Sequence, residues 1–120
     1  MPFFLLPVSY TPEALARLIA NPQDRFEAVR APVEKLGGKI KDSYFAFGRS
    51  DAVLITEMPD NFSVAAIALA FAAGGALSNC QTTPLMTNAE ALDAMRKAGT
   101  CGYKPIAASR PRALVGKPSA

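Results

Sequence analysis

The amino-acid sequence predicts an α+β domain of the ferredoxin-like kind, an antiparallel four-stranded sheet carrying helices on one face. Hydrophobic spacing alternates between strand and helix periods in the order β-α-β-β-α-β, followed by one added C-terminal helix. Capping and turn residues punctuate each change of period. Half of the 120 residues are hydrophobic and 19% are charged, a composition that supports a real core and argues against disorder.

Phe3 to Tyr10 opens the pattern with aromatic and aliphatic residues on both parities, as in a strand covered on both faces. Pro7 conflicts with a central strand because it removes a ladder donor. A bulge at Pro7, or a missing amide directed away from any partner, would resolve the conflict. Thr11-Pro12-Glu13 then starts a helix, with Thr11 as N-cap, proline in the first helical position and an acid in the first turn. Asn21-Pro22 breaks it. A second helical segment from about Gln23 to Leu36 places Phe26, Val29, Val33 and Leu36 on one stripe, with Pro32 as an interruption, and Gly37-Gly38 ends it in a left-handed cap.

Lys39 to Phe47 and Val53 to Thr56 read as a hairpin joined by the Gly48-Arg49-Ser50-Asp51 turn. Asp60 and its neighbours cap a helix from Val64 to Ala73 that contains no polar residue, so it presents no solvent face and requires burial all round. Cover from a second subunit or from the C-terminal segment is expected, with Ile67 and Phe71 as the candidate oligomer contacts. Leu77 to Leu85 is a polar fourth strand suited to a sheet edge. Thr87 and Glu90 form a capping box for a last helix ending near Gly99. Residues 1–99 therefore make one domain, and 100–120 an extended Pro-, Arg- and Lys-rich tail.

The net charge of +3 resides in that tail. Residues 1 to 103 carry nine bases against ten acids, a net of −1, whereas Lys104, Arg110, Arg112 and Lys117 are followed by no acid. A near-neutral body without interleaved bases and aromatics argues against nucleic acid as a partner, and the tail is left as a contact for an acidic protein or simply as a solvated end. The sequence has no histidine, which removes the common zinc motifs and any Ser-His or Cys-His nucleophile pair, so neither metal nor cofactor is expected. Cys80 and Cys101 read as free thiols, and Cys80, flanked by Asn79 and Gln81, has no electropositive neighbour to activate it. The opening Met-Pro-Phe-Phe-Leu-Leu-Pro has no basic lead and its apolar run stops at Pro7, so it fails as a signal peptide, and the 14-residue apolar stretch from Val64 to Leu77 is too short for a membrane span. The expected location is the cytoplasm.

Several strings occur in the order of the predicted elements: Tyr10-Thr11-Pro12-Glu13, Gly37-Gly38-Lys39, Tyr44-Phe45-Ala46-Phe47-Gly48, Ala52 to Glu57, Met58-Pro59-Asp60-Asn61, Thr82-Thr83-Pro84-Leu85 and Gly102-Tyr103-Lys104-Pro105. Together, over roughly residues 3 to 106, they resemble the GYD-domain family. The resemblance implies the dimeric α/β-barrel group, whose relatives include cofactor-free monooxygenases, small isomerases and ligand-sensing domains. It brings a fold and no reaction. Where the family's name implies Gly-Tyr-Asp, this chain has Gly48, then Arg49-Ser50, then Asp51, without the aromatic.

The candidate pocket residues are Tyr10, Tyr44, Arg49, Asp51 and Glu57. Arg49 and Asp51 flank the hairpin turn, where an acid beside a base can orient a ligand, although an Asx-type bond to turn amides is the favoured role for Asp51. Glu57 shares a strand face with Asp51 but lies about 20 Å from it along an extended strand, so the two do not form an acid–base pair. Tyr10 and Tyr44 can donate to an oxygen of a bound ligand, against the plainer role of packed rings. The sequence thus predicts a non-catalytic oligomeric binding or accessory protein, a homodimer or higher assembly. The alternative is a cofactor-independent oxygenase or isomerase acting on a small apolar substrate in the barrel cavity.

Overall fold

The element order is β1 (Phe3–Tyr10), α1 (Pro12–Ala20), α2 (Phe26–Lys35), β2 (Lys39–Phe45), β3 (Ala52–Glu57), α3 (Asn61–Ala73), β4 (Leu77–Cys80), β5 (Thr83–Leu85) and α4 (Asn88–Ala98). This computed structural model describes residues 1–106, so Arg110, Arg112 and Lys117 of the expected tail lie outside the described residues. Two compact units are distinguished, Met1–Met86 with the whole sheet and α1 to α3, and the segment from Thr87 with α4.

The sheet is antiparallel and open, in the order β2-β3-β1-β4, with β5 also paired to β1. This arrangement is α+β and ferredoxin-like, as the sequence pattern predicts. Even-numbered residues of β1 and β3 face the helices. Phe4, Leu6, Leu54 and Met58 join Val33 of α2 and Val64 and Ile67 of α3 in one buried cluster. Thr56 is the buried polar residue of this layer, and its hydroxyl donates to the Phe4 carbonyl at 3.5 Å. Odd-numbered residues such as Leu5, Pro7, Val53 and Ile55 occupy the opposite face and are half-buried.

Pro7 produces neither of the outcomes expected for it. The register opposite β1 is continuous, from Phe3 against Leu85 to Val8 against Cys80. The Gln81 amide donates to the Pro7 carbonyl at 3.1 Å. In an antiparallel pair the reciprocal bond would run from residue 7 to the Gln81 carbonyl, and proline has no N–H to make it. The fourth strand is consequently divided into β4 and β5, two pieces in one register. The irregularity in this ladder lies between Ser9 and Tyr10 instead.

Helix starts follow their capping residues. Thr11 accepts from the Ala14 amide at 3.1 Å, Asp60 from the Ser63 amide at 2.8 Å, and Thr87 with Glu90 completes the capping box. Gly37, at φ 88°, ends the turn after α2, and a Cβ on neighbouring Gly38 would collide with the Met58 sulfur and the Glu57 carbonyl. α2 begins at Phe26, where its apolar stripe starts, and not at about Gln23, and it runs through Pro32. A proline there forgoes one bond to the preceding turn, and the Val33 side chain, only 1% exposed, anchors the helix across the defect.

Within the chain, α3 is buried along one side. Val64 and Ile67 are buried, but Phe62 and Leu69 are 87% and 71% exposed. A helix on a two-layer sheet has one buried stripe, and hydrophobicity on its other sides does not create cover within the chain. Ile67, at 1% exposure, belongs to the chain's own core. Phe71 packs partly against the same core.

Candidate functional site

Toward the C-terminal end of β1 the layer between sheet and helices is hollow. A cavity of about 470 Å³ lies there, bounded by Val8 and Tyr10 of β1, Ala52 and Leu54 of β3, the start of α2 and the second half of α3. Its size falls in the range of sites for small organic molecules. The walls are mainly apolar, with Phe26 and Val29 from α2, Phe71 from α3 and Leu77 at the start of β4. Local sequence explains the space. Ala52, Ala70, Gly74 and Ala76 line the cavity with little or no side chain where larger residues would fill it.

The polar groups are few. Tyr10 is half-buried and its ring lies 6.3 Å from that of Phe45, tilted by 47°. Burial raises the Tyr10 pKa above its usual value, an effect opposed by the positive charge of Arg25 and reinforced by Asp51. The hydroxyl therefore stays protonated at neutral pH and is a donor. Asp24 and Arg25, from the loop into α2, also border the cavity. The Asp24 carboxylate accepts from the Phe26 amide at 2.8 Å.

Of the five residues predicted from sequence, Tyr10 and Tyr44 border this cavity, Tyr44 with 61% exposure. The other three do not line it. Asp51 Oδ2 accepts from the Tyr10 amide at 2.9 Å, while the Asp51 amide donates to the Val8 carbonyl and the Asp51 carbonyl accepts from the Ala46 amide. The acid thus fastens the hairpin turn to the end of β1, forty-one residues away, in place of a bond within its own turn. Exposed Arg49 accepts a bond from the Ser9 hydroxyl through its carbonyl oxygen, at 3.4 Å. Glu57 meets Lys41 at 3.7 Å at the far end of β3. Arg25, Phe26 and Phe71 escaped the sequence reading because they come together only through packing. Arg25 did carry a signal: Arg30 and Arg96 have acids three or four residues away, whereas positions 21, 22, 28 and 29 around Arg25 hold none.

Both cysteines are free, and burial pushes the Cys80 thiol up, away from the reactive thiolate. Among the described residues, no three or more His, Cys, Asp or Glu side chains gather as a metal site, and no helix is long and apolar enough to cross a membrane.

The GYD domain model matches residues 4–95, more than three-quarters of the chain. The protein belongs to the GYD-domain family. No curated protein matches the sequence. In this GYD-domain protein, Asp51 of the Gly48–Asp51 turn serves the backbone of β1, and the side chains available to a ligand are those that line the hollow beside Tyr10.

Proposed function

We propose that this GYD-domain protein is a non-catalytic, cytoplasmic binding protein that takes a small, mainly apolar molecule between its sheet and helices α2 and α3. The cavity of about 470 Å³ carries this reading. Burying an apolar ligand there gains roughly 25 cal/mol for each Å² removed from water. Asp51 is engaged with the Tyr10 amide, and Arg49 and Glu57 lie off the cavity, which supports binding over acid–base chemistry.

The protein works as a homo-oligomer in this reading. The sheet face bearing Leu5, Pro7, Val53 and Ile55 lies opposite the one packed by α2 and α3, and Phe62 and Leu69 of α3 are exposed. A second copy covering the sheet would close a dimeric barrel and remove an apolar patch from water. Native mass spectrometry of protein from its own host is the test. A retained small molecule on a dimer or larger assembly is expected. A strictly monomeric protein that carries no molecule, and takes up none from an aromatic panel, would sink the proposal.

One observation favours a cofactor-independent isomerase or oxygenase instead, the protonated Tyr10 hydroxyl at the cavity wall. Conversion of the retained molecule by purified protein, lost in Tyr10→Phe, would replace binding with turnover.

A further inference from the structure

We propose that the molecule held in this cavity is a flat apolar carboxylate, with its anionic group received by the Arg25 guanidinium and the Tyr10 hydroxyl. The inference rests on the binding reading above and specifies the ligand's chemistry.

Two side chains that border the cavity bear full charges, those of Asp24 and Arg25. They differ in what they already bind. Asp24 Oδ1 accepts the Phe26 amide at 2.8 Å, so its charge is spent in holding the start of α2. Arg25 makes no ion pair and no side-chain hydrogen bond among the described residues, whereas Arg30 reaches both Glu27 and Glu34. A guanidinium cannot be deprotonated in a protein and offers donors only. The Tyr10 hydroxyl has no protein partner among the described residues and is likewise kept as a donor by burial. Arg25 and Tyr10 line the same cavity, so both donors are available to one ligand.

Two donors lining one cavity, without an acceptor of their own, call for an acceptor that brings negative charge. A carboxylate answers both, because its two oxygens can take a guanidinium and a phenol together. The remaining walls select the rest of the molecule. Phe26, Phe45 and Phe71 line the cavity together with the Tyr10 ring, Val29 and Leu77. Rings pack against aromatic side chains in stacked or edge-on arrangements with a gain beyond simple area burial.

The test compares 2-naphthoate with its neutral isostere 2-naphthamide by titration calorimetry on the full chain. The acid should bind about tenfold more tightly than the amide, the size expected for a charge-assisted bond. Arg25→Gln, an exposed and conservative change, should bring acid and amide to parity, and Tyr10→Phe should reduce the preference severalfold. Ala70→Phe, which fills the cavity, should abolish binding of both. Equal binding of the two in the native protein overturns the carboxylate assignment and leaves the cavity reading intact. Binding of neither overturns both readings. A preference for the acid that persists in Arg25→Gln, or binding that persists in Ala70→Phe, also overturns the assignment.

Discussion

The layer between sheet and helices has a solid end and a hollow end, and the same strands build both. Where Phe4 meets Thr56 and Met58 closes over Gly38, the side chains of Phe4, Leu6, Val33, Thr56 and Met58 are almost wholly excluded from water. Six residues along β1, Tyr10 is only half-buried beside open space. The difference comes from residue size at facing positions. Phe4, Leu6 and Met58 interdigitate at one end, while Ala52, Ala70, Gly74 and Ala76 face the other. One end stabilises the fold, and stability there permits an unfilled space at the other.

Truncation gives the largest contrast. Phe4→Ala should cost about 3–5 kcal/mol, while Phe71→Ala, beside existing space and half-buried, should cost well under half of that. Urea denaturation of the two variants measures it, and equal losses would break the distinction between the ends. Gly38→Ala comes next, at about 1–3 kcal/mol, because its added methyl meets the Glu57 carbonyl as well as the yielding Met58 side chain. Ala70→Phe should change stability by less than about 1 kcal/mol while eliminating ligand uptake, since the ring enters a space already present.

The smallest effect is a pH dependence confined to the hollow end. Burial raises the folded-state pKa of Tyr10, so the native chain holds that proton more tightly than the unfolded chain. Its contribution is fully present below the unfolded value of about 10 and is lost as pH rises through the folded one. Urea midpoints should therefore fall across this alkaline window, and Tyr10→Phe should flatten part of that fall. An unchanged slope in the variant would show that Tyr10 is no more buried than a surface tyrosine.

Much of the fold was legible because its signals are local. Thr11, Asp60, Thr87 and Glu90 sit at the helix starts their capping chemistry predicts, and Gly37 adopts the left-handed turn. The alternation of β3 likewise sorts Leu54 and Thr56 inward from Val53 and Ile55. Pro32 misled because one lost hydrogen bond is cheaper than unpacking Val33. For α3, hydrophobicity states what a helix would gain from cover and does not state whether the same chain supplies it. The cavity was the least legible feature. Tyr10 and Tyr44 were accessible as aromatics with polar tips, but a void has no residue of its own, and Arg25, Phe71 and Ala52 lie far apart in sequence. Asp51 was assigned a turn role, yet its partner is the Tyr10 amide, a contact made only when β1 and the hairpin close together.

The proline in β1 has a consequence for how the sheet edge breathes. With no donor at residue 7, the outermost ladder lacks a bond at its middle, and β4 can fray without drawing β5 with it. Hydrogen exchange should accordingly reveal two separately opening leaves, with the Asn79 amide responding differently to denaturant from that of Leu85. Leu77, on the first leaf, is also a wall of the hollow. Fraying of four residues would thus unlatch the cavity's side while the central strands keep their shape, giving a guest a passage that does not require the domain to unfold.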